Sequence, residues 1–338
     1  MERNIETILT KLLHWTVLSS GEPVRRSVSG QLGRHADMGG HARRDAGPSV
    51  KEVSPKNPSA REARVPSYRV MLDVPRELIW FVSALLAARR RSIGTRKKTR
   101  KLSCYRQAVF GLAWFRDKGD VRRLGAGSGL SQATAYRYLA EIIDVLAAQA
   151  PGLREALERA VAGGTPYVIL DGKIAGADRC HEKTVSRKGA EIDLWYSGKR
   201  KDFGGNIQAV FYPDGRPMWV SDVLPGNVND LAAAREMVLS VIGPFTEKMP
   251  VLADGGYEGA GHGVLTPVKK PAGKKELDIN ARTRNALIRS LRCMGERGFA
   301  LLSQRWQTLQ HVTMSPGKIG QIARAALVLV LFEHKMIS

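Results

Sequence analysis

Three carboxylates, Asp171, Asp254 and Glu296, have the residue type and setting to do chemistry together. Asp171 follows the apolar run Tyr167-Val168-Ile169-Leu170 and precedes Gly172, while Asp254 follows Val251-Leu252-Ala253 and precedes Gly255-Gly256. Strand-favouring runs closed by glycine predict short buried strands that end at each aspartate. A carboxylate at a strand end is held on a rigid element, and two such strands side by side would let the pair share a cation. An Asp-Gly step after a strand is also an ordinary turn, so the case rests on convergence. Glu296 falls in a helical pattern from Asn280 to Trp306. At about 100° per residue, Leu287, Leu291, Met294, Leu301 and Leu302 gather on one side, and Asn285, Arg289, Arg292, Glu296 and Ser303 on the other. One acid among arginines suits a site that holds both metal and phosphates, with Arg289 and Arg292 as phosphate contacts. The same face could simply be solvated.

Hydrolysis or transfer at a phosphodiester needs an activated oxygen nucleophile and neutralisation of the charge that builds on the phosphorane. Two divalent cations about 3.5–4 Å apart supply both. Mg²⁺ takes hard oxygen ligands and keeps water, so two or three carboxylates with a substrate phosphate complete its shell. The seven histidines show no zinc-type spacing, and His262 in the glycine-rich loop Gly256–Gly263 reads as a surface residue. No clear helix start with a P-loop lysine follows that loop, which makes it a poor phosphate cradle. Gly172, being small, would let a DNA phosphate approach Asp171.

The elements that must position these groups follow from charge and pattern. Lys+Arg number 53 against 32 Asp+Glu, a formal charge of +21, which points to a polyanionic partner. Membrane is the weaker choice, because the apolar run Ala325–Phe332 is far short of the roughly 20 residues a span needs. Cys104, Cys180 and Cys293 lie far apart and no secretory leader is visible, so we expect a reducing, cytoplasmic setting, and a polyanionic partner such as DNA would make it nucleoid-associated.

Residues 1–66 are rich in Arg, Ser, Gly and Pro and read as a disordered basic extension, a DNA-touching arm or an addition with no role. Residues 67–163 read as helical. Arg89–Arg123 holds thirteen Lys or Arg against Asp117 and Asp120, and Arg96, Lys97 and Lys98 lie in its densest part, a phosphate-binding surface. A helix over Cys104–Phe115, a short helix from Asp120, glycines 125, 127 and 129, and a helix capped by Ser131 match the helix-turn-helix plan. Its second helix would enter the major groove and set Gln132, Thr134, Tyr136 and Arg137 against bases and phosphates. A helix over Leu153–Ala162 ends at Gly163-Gly164, a domain boundary. Residues 164–338 then read as α/β: a strand alternating polar and apolar over Asn206–Tyr212, a turn at Pro213-Asp214-Gly215, and a strand over Pro217–Val223. Asp230 caps a helix through Ile242, and a buried strand over Pro250–Ala253 completes a mixed sheet with a crossover helix.

Several motifs together resemble the DDE-superfamily transposases of bacterial insertion sequences, of the Harbinger-related endonuclease group, from Ser67 onward. They are Ile169-Leu170-Asp171-Gly172-Lys173, Trp195-Tyr196-Ser197-Gly198-Lys199, Leu224-Pro225-Gly226-Asn227-Val228-Asn229-Asp230, Ala253-Asp254-Gly255-Gly256-Tyr257-Glu258-Gly259, and Gly295-Glu296-Arg297-Gly298-Phe299 with Arg305-Trp306. The resemblance implies a ribonuclease-H-like catalytic domain of α/β class behind an all-α helix-turn-helix domain. It implies a divalent cation, Mg²⁺ or Mn²⁺, cleavage of double-stranded DNA at terminal inverted repeats, strand transfer into target DNA, and a homo-oligomer on the DNA. It places the catalytic and metal-holding acids on Asp171, Asp254 and Glu296, and an auxiliary metal ligand on Asp230. Asn229, Gly255 and Ser303 stand where the family often has His, Lys and a basic residue. The rivals are a copy that binds the repeats as a regulator without cutting, and a metal-dependent nuclease without strand transfer.

Overall fold

The computed structural model describes residues 72–96, 98–186, 188–270 and 276–337. The basic extension over 1–66 and Lys97 lie outside the described residues. The first described helix, α1 (Arg76–Ser92), starts directly after Pro75, whose fixed φ suits a helix entry. It packs on α2 (Cys104–Asp117), which Ser103 caps by accepting from the Arg106 amide at 3.2 Å. Asp120 caps α3 (Val121–Gly127), its carboxylate accepting from the Arg123 amide at 2.9 Å. Gly129, at φ +69°, turns the chain into α4 (Gln132–Ala147). Gly125 is not part of that turn. It lies inside α3, where an added Cβ would come 2.8 Å from the Ala135 Cβ, so its bareness lets α3 and α4 touch. Ser131 holds the N-cap position of α4, but its hydroxyl donates to Thr134 Oγ1 (3.0 Å) and no backbone amide is capped.

After α5 (Leu153–Ala162) the chain enters β1 (Val168–Ala177). A small antiparallel ribbon, β2 (Lys183–Val185) with β3 (Glu191–Asp193), precedes β4 (Tyr196–Ser197). β5 (Asp202–Phe211) runs antiparallel to β1 from Ile169↔Phe211 to Gly176↔Gly204. β6 (Pro217–Pro225) returns along β5 through the Pro213–Arg216 turn, in which Gly215 takes φ +83°. The crossover from β6 is α6 (Asp230–Met237) and α7 (Leu239–Ile242), two helices where one was expected through Ile242. It delivers β7 (Val251–Leu252) parallel to β1, and β8 (Val264–Leu265) follows parallel to β7. The central order is therefore β6-β5-β1-β7-β8, with β9 (His311–Val312) on the far end of β1.

Side chains alternate across a strand, and β1 divides the core accordingly. Val168 and Leu170 join α5, α6 and α7 on one face. Ile169 and Ala175 face the other way, toward α8 (Ile279–Arg292) with α9 (Met294–Ser303) and toward α10 (Ile319–Glu333). α10 is buried along nearly its whole length and packs against both α4 and β6, so α1–α4 share their core with the second face of the sheet. The apolar run Ala325–Phe332 is this core helix, and among the described residues no helix is long and apolar enough to cross a membrane.

Candidate active site

Asp171 does not end a strand. It is the fourth residue of the ten-residue β1, which runs on past Gly172 because β5 pairs with it without interruption as far as Gly176. Asp254 does stand just beyond its strand, where its Oδ1 caps the turn Gly255–Tyr257 by accepting from the Gly256 amide at 2.8 Å. The β1–β7 register pairs Ile169 with Leu252, and continuing it two residues brings Asp254 level with Asp171. The two strand-borne acids are thus neighbours.

The neighbouring charges are felt in the protonation of Asp171. Burial is the main cause that pushes the Asp171 carboxyl up to about 6, and the negative charges of Asp254 and Asp230 push it the same way. Arg292 opposes this from 3.4 Å, with the Gly172 amide assisting at 3.0 Å. Arg292, expected as a phosphate contact, is therefore paired with an acid. Arg289 is exposed on the same helix.

Asp230 was expected to cap its helix. Asn229 does that instead, accepting from the Ala232 amide at 2.9 Å, and this frees the Asp230 carboxylate to turn inward. Its Oδ1 accepts from Asn206 Nδ2 at 2.9 Å and its Oδ2 from Lys199 Nζ at 2.8 Å. The chain of contacts continues from Gln208 Nε2 to Asn206 Oδ1 (2.8 Å) and from the Tyr257 hydroxyl to Gln208 Oε1 (2.6 Å). Burial, then the charges of Asp230, Asp171 and Asp254, raise the Tyr257 hydroxyl well above its ordinary value, so it stays a donor. Lys199 is held above its ordinary value, chiefly by the hydrogen bond to Asp230.

Gly172 lies beneath this network. A Cβ there would come 2.5 Å from Gln208 Nε2, 2.6 Å from Asp230 Oδ1 and 2.8 Å from the Tyr257 hydroxyl. The space beside Gly172 is filled by protein, which corrects the expectation that a DNA phosphate would use it.

The helical pattern over 280–306 is two helices, α8 and α9, divided at Cys293. The division redistributes the expected polar face. Asn285 is buried and clamps Val268, accepting from its amide and donating to its carbonyl, both at 2.8 Å. Ser303 is buried against β1, where its Oγ accepts from Lys173 Nζ at 2.9 Å. Glu296 is exposed in the first turn of α9, and the preceding Gly295 abuts Asp171, since a Cβ on it would lie 3.6 Å from Asp171 Oδ2.

Among the described residues, no three His, Cys, Asp or Glu side chains stand together as a ligand set for a cation. The donor chemistry nevertheless fits one. Asp171, Asp254 and Asp230 are hard oxygen donors whose mutual repulsion a divalent cation would relieve. At present Arg292 and Lys199 neutralise two of them.

The helical half presents its own charges. Arg90, Arg91, Arg96, Lys98 and Arg100 line a cleft of about 480 Å³ between α1 and α2. Arg90 and Arg100 are its fixed wall, donating to Gln107 (2.5 Å) and Glu141 (3.1 Å). On α4, Gln132 and Arg137 are exposed, while Thr134 and Tyr136 are half-buried. Thr134 is engaged within its own turn, accepting from Ser131 and from Arg137 at 3.1 Å.

With this geometry described, residues 177–330 match the model of one family, described as DDE superfamily endonuclease. That stretch, somewhat under half of the chain, is on this account similar to DDE-superfamily, transposase-like proteins. The matched stretch holds Lys199, Asp230, Asp254, Arg292 and Glu296, and it begins at the last residue of β1, after Asp171. No curated protein and no solved structure matches the chain.

Proposed function

We propose that this chain is the transposase of a bacterial insertion sequence, which cuts double-stranded DNA at terminal inverted repeats and joins the freed ends to target DNA. The observation that carries the reading is the pair formed by Asp171 on β1 and Asp254 just past the parallel neighbour β7, whose charge helps push the buried Asp171 carboxyl up, inside a protein of +21 charge. The strand order, with β1 central, antiparallel to β5 and parallel to β7, is the arrangement a ribonuclease-H-like domain would use. Asp171, Asp254 and Glu296 are the residues we assign to catalysis and to holding Mg²⁺ or Mn²⁺, with Asp230 auxiliary.

A divalent cation held there supplies the activated oxygen nucleophile and charge neutralisation that phosphodiester chemistry needs. The chain itself does the rest. Strands β1 and β7 fix the two aspartates, and the Asn206–Gln208–Tyr257 chain fixes Asp230. Arg292 pairs with Asp171 and Lys199 with Asp230, and with a cation held by those acids both side chains would be available to DNA phosphates. Recognition falls to residues 67–163, with α3 and α4 as a helix-turn-helix and two or more copies acting on paired ends.

A supercoiled plasmid carrying the repeats tests the whole reading. Nicking that requires Mg²⁺ and is lost in Asp254→Asn and Glu296→Gln is the expected result. Nicking that survives both substitutions would remove the acids from catalysis. The recognition half makes a separate prediction. Gln132→Ala with Arg137→Ala should weaken binding to the repeats by about tenfold or more and spare random duplex, as loss of base contacts does. Lys98→Ala should weaken both equally and reduce the salt slope by about 1. Fluorescence anisotropy across a salt series reads both effects.

A further inference from the structure

Lys173 stands two residues beyond Asp171 on the same face of β1, directed toward α9. Its ammonium lies 5.4 Å from the centre of the Phe299 ring and donates to Ser303 Oγ at 2.9 Å. Ser303 passes its own proton to the Phe299 carbonyl at 2.8 Å, so this contact engages one of the three ammonium donors. The acid two residues before it, Asp171, is paired with Arg292, and among the described residues no carboxylate forms an ion pair with Lys173. The next residue of β1, Ile174, has its carbonyl occupied by the Arg200 guanidinium at 2.6 Å. A half-buried ammonium with no carboxylate in an ion pair with it gains from an anion that reaches it. The class of anion is set by the setting: a site that faces DNA presents phosphodiester oxygens.

We propose that Lys173 is a substrate-binding residue that grips the phosphodiester next to the bond cut at Asp171, with Ser303 holding the ammonium in place. The proposal rests on the endonuclease reading above and adds a residue to it. It also explains why a small hydroxyl residue occupies position 303: a longer cationic side chain there would compete with Lys173 for the same space.

The test moves the charge from strand to helix. Lys173→Ser, Lys173→Arg and the double exchange Lys173→Ser with Ser303→Lys are compared in the full chain by nicking kinetics, duplex affinity and melting temperature. Lys173→Ser should raise KM and weaken duplex binding by about tenfold, as loss of a charge-assisted contact does. Lys173→Arg and the double exchange should recover most of that loss. Lys173→Ser that binds and nicks normally would overturn the proposal. So would losses in KM and affinity that track a lowered melting temperature and are not recovered by the exchange. Reductive methylation of wild-type Lys173, read by mass spectrometry with and without duplex, is independent of cleavage. Protection by duplex upholds the phosphate contact even in a chain that nicks nothing, where the endonuclease reading alone would fail. Unchanged methylation overturns the proposal.

Discussion

Asp171→Asn is expected to abolish strand cleavage and, with divalent cations chelated, to make the folded chain more stable than wild type at pH 8. The two effects have one cause. Burial and the charges of Asp254 and Asp230 raise the folded carboxyl to about 6 from an ordinary 3.8. Between those values the folded chain holds a proton that the unfolded chain has released, so stability falls as pH rises through the window. Above about pH 6 the full cost of the charged carboxylate is present, on the order of 3 kcal/mol. Asparagine carries no such charge. Wild type and variant should therefore melt together below pH 4 and separate above pH 6, the variant higher. Adding Mg²⁺ at pH 8 should raise the wild type by ligand linkage and leave the variant nearly unmoved. Cleavage should fall by about a thousandfold, the scale of several kcal/mol that a catalytic metal contributes. Equal melting at pH 8 would mean that Asp171 is not the repelled group.

Gly172→Ala is expected to be the most damaging single-methyl change near the acids. The three atoms its Cβ would strike are side-chain atoms of Gln208, Asp230 and Tyr257, and these groups are already fixed by hydrogen bonds to one another or to Asn206 and Lys199. Overpacking of a filled interior costs about 1–3 kcal/mol. Here the shift must also break a contact in a buried polar chain, so the upper end of that range is expected, read as a lower urea midpoint at unchanged slope. A methyl tolerated with less than about 0.5 kcal/mol lost would mean that the network has slack. Nicking should drop as well, because Asp230 moves. Tyr257→Phe, which removes one donor and no volume, should cost less.

Local pattern carried the acids and missed what surrounds them. Asp171 and Asp254 were legible because each follows a short apolar run, and apolar runs are local. Their being level depends on the β1–β7 register, which the crossover Asp230–Ile242 sets at long range. β5 misled in an instructive way. Polar–apolar alternation over Asn206–Tyr212 predicts one solvated face, yet Asn206 and Gln208 are fully buried because α6 covers that face, Asn206 donates to Asp230 and Gln208 donates to Asn206. The partners Lys199, Asn206, Gln208 and Tyr257 were missed for the same reason. The signal available was the strand's own length, since a ten-residue strand at the centre of an α/β sheet is covered on both sides. Over 280–306 the apolar period runs on without a break, so the interruption at Cys293 left no trace in the pattern. Asn229 and Asp230 were the finest distinction: both are good caps, and only the fold shows which of them turns inward.

The helix α10 lies late in the chain and is packed between α4 and β6. A ribosome delivers α1–α4 well before that partner exists, and contacts closed over such separations form slowly. During synthesis the apolar side of α4 has to wait without its cover. Nascent chains lacking α10 should therefore be captured by chaperones or proteases, and DNA-binding competence should appear only once synthesis has passed residue 333. The order of synthesis thus makes the packing of α4 wait on a helix at the far end of the described chain.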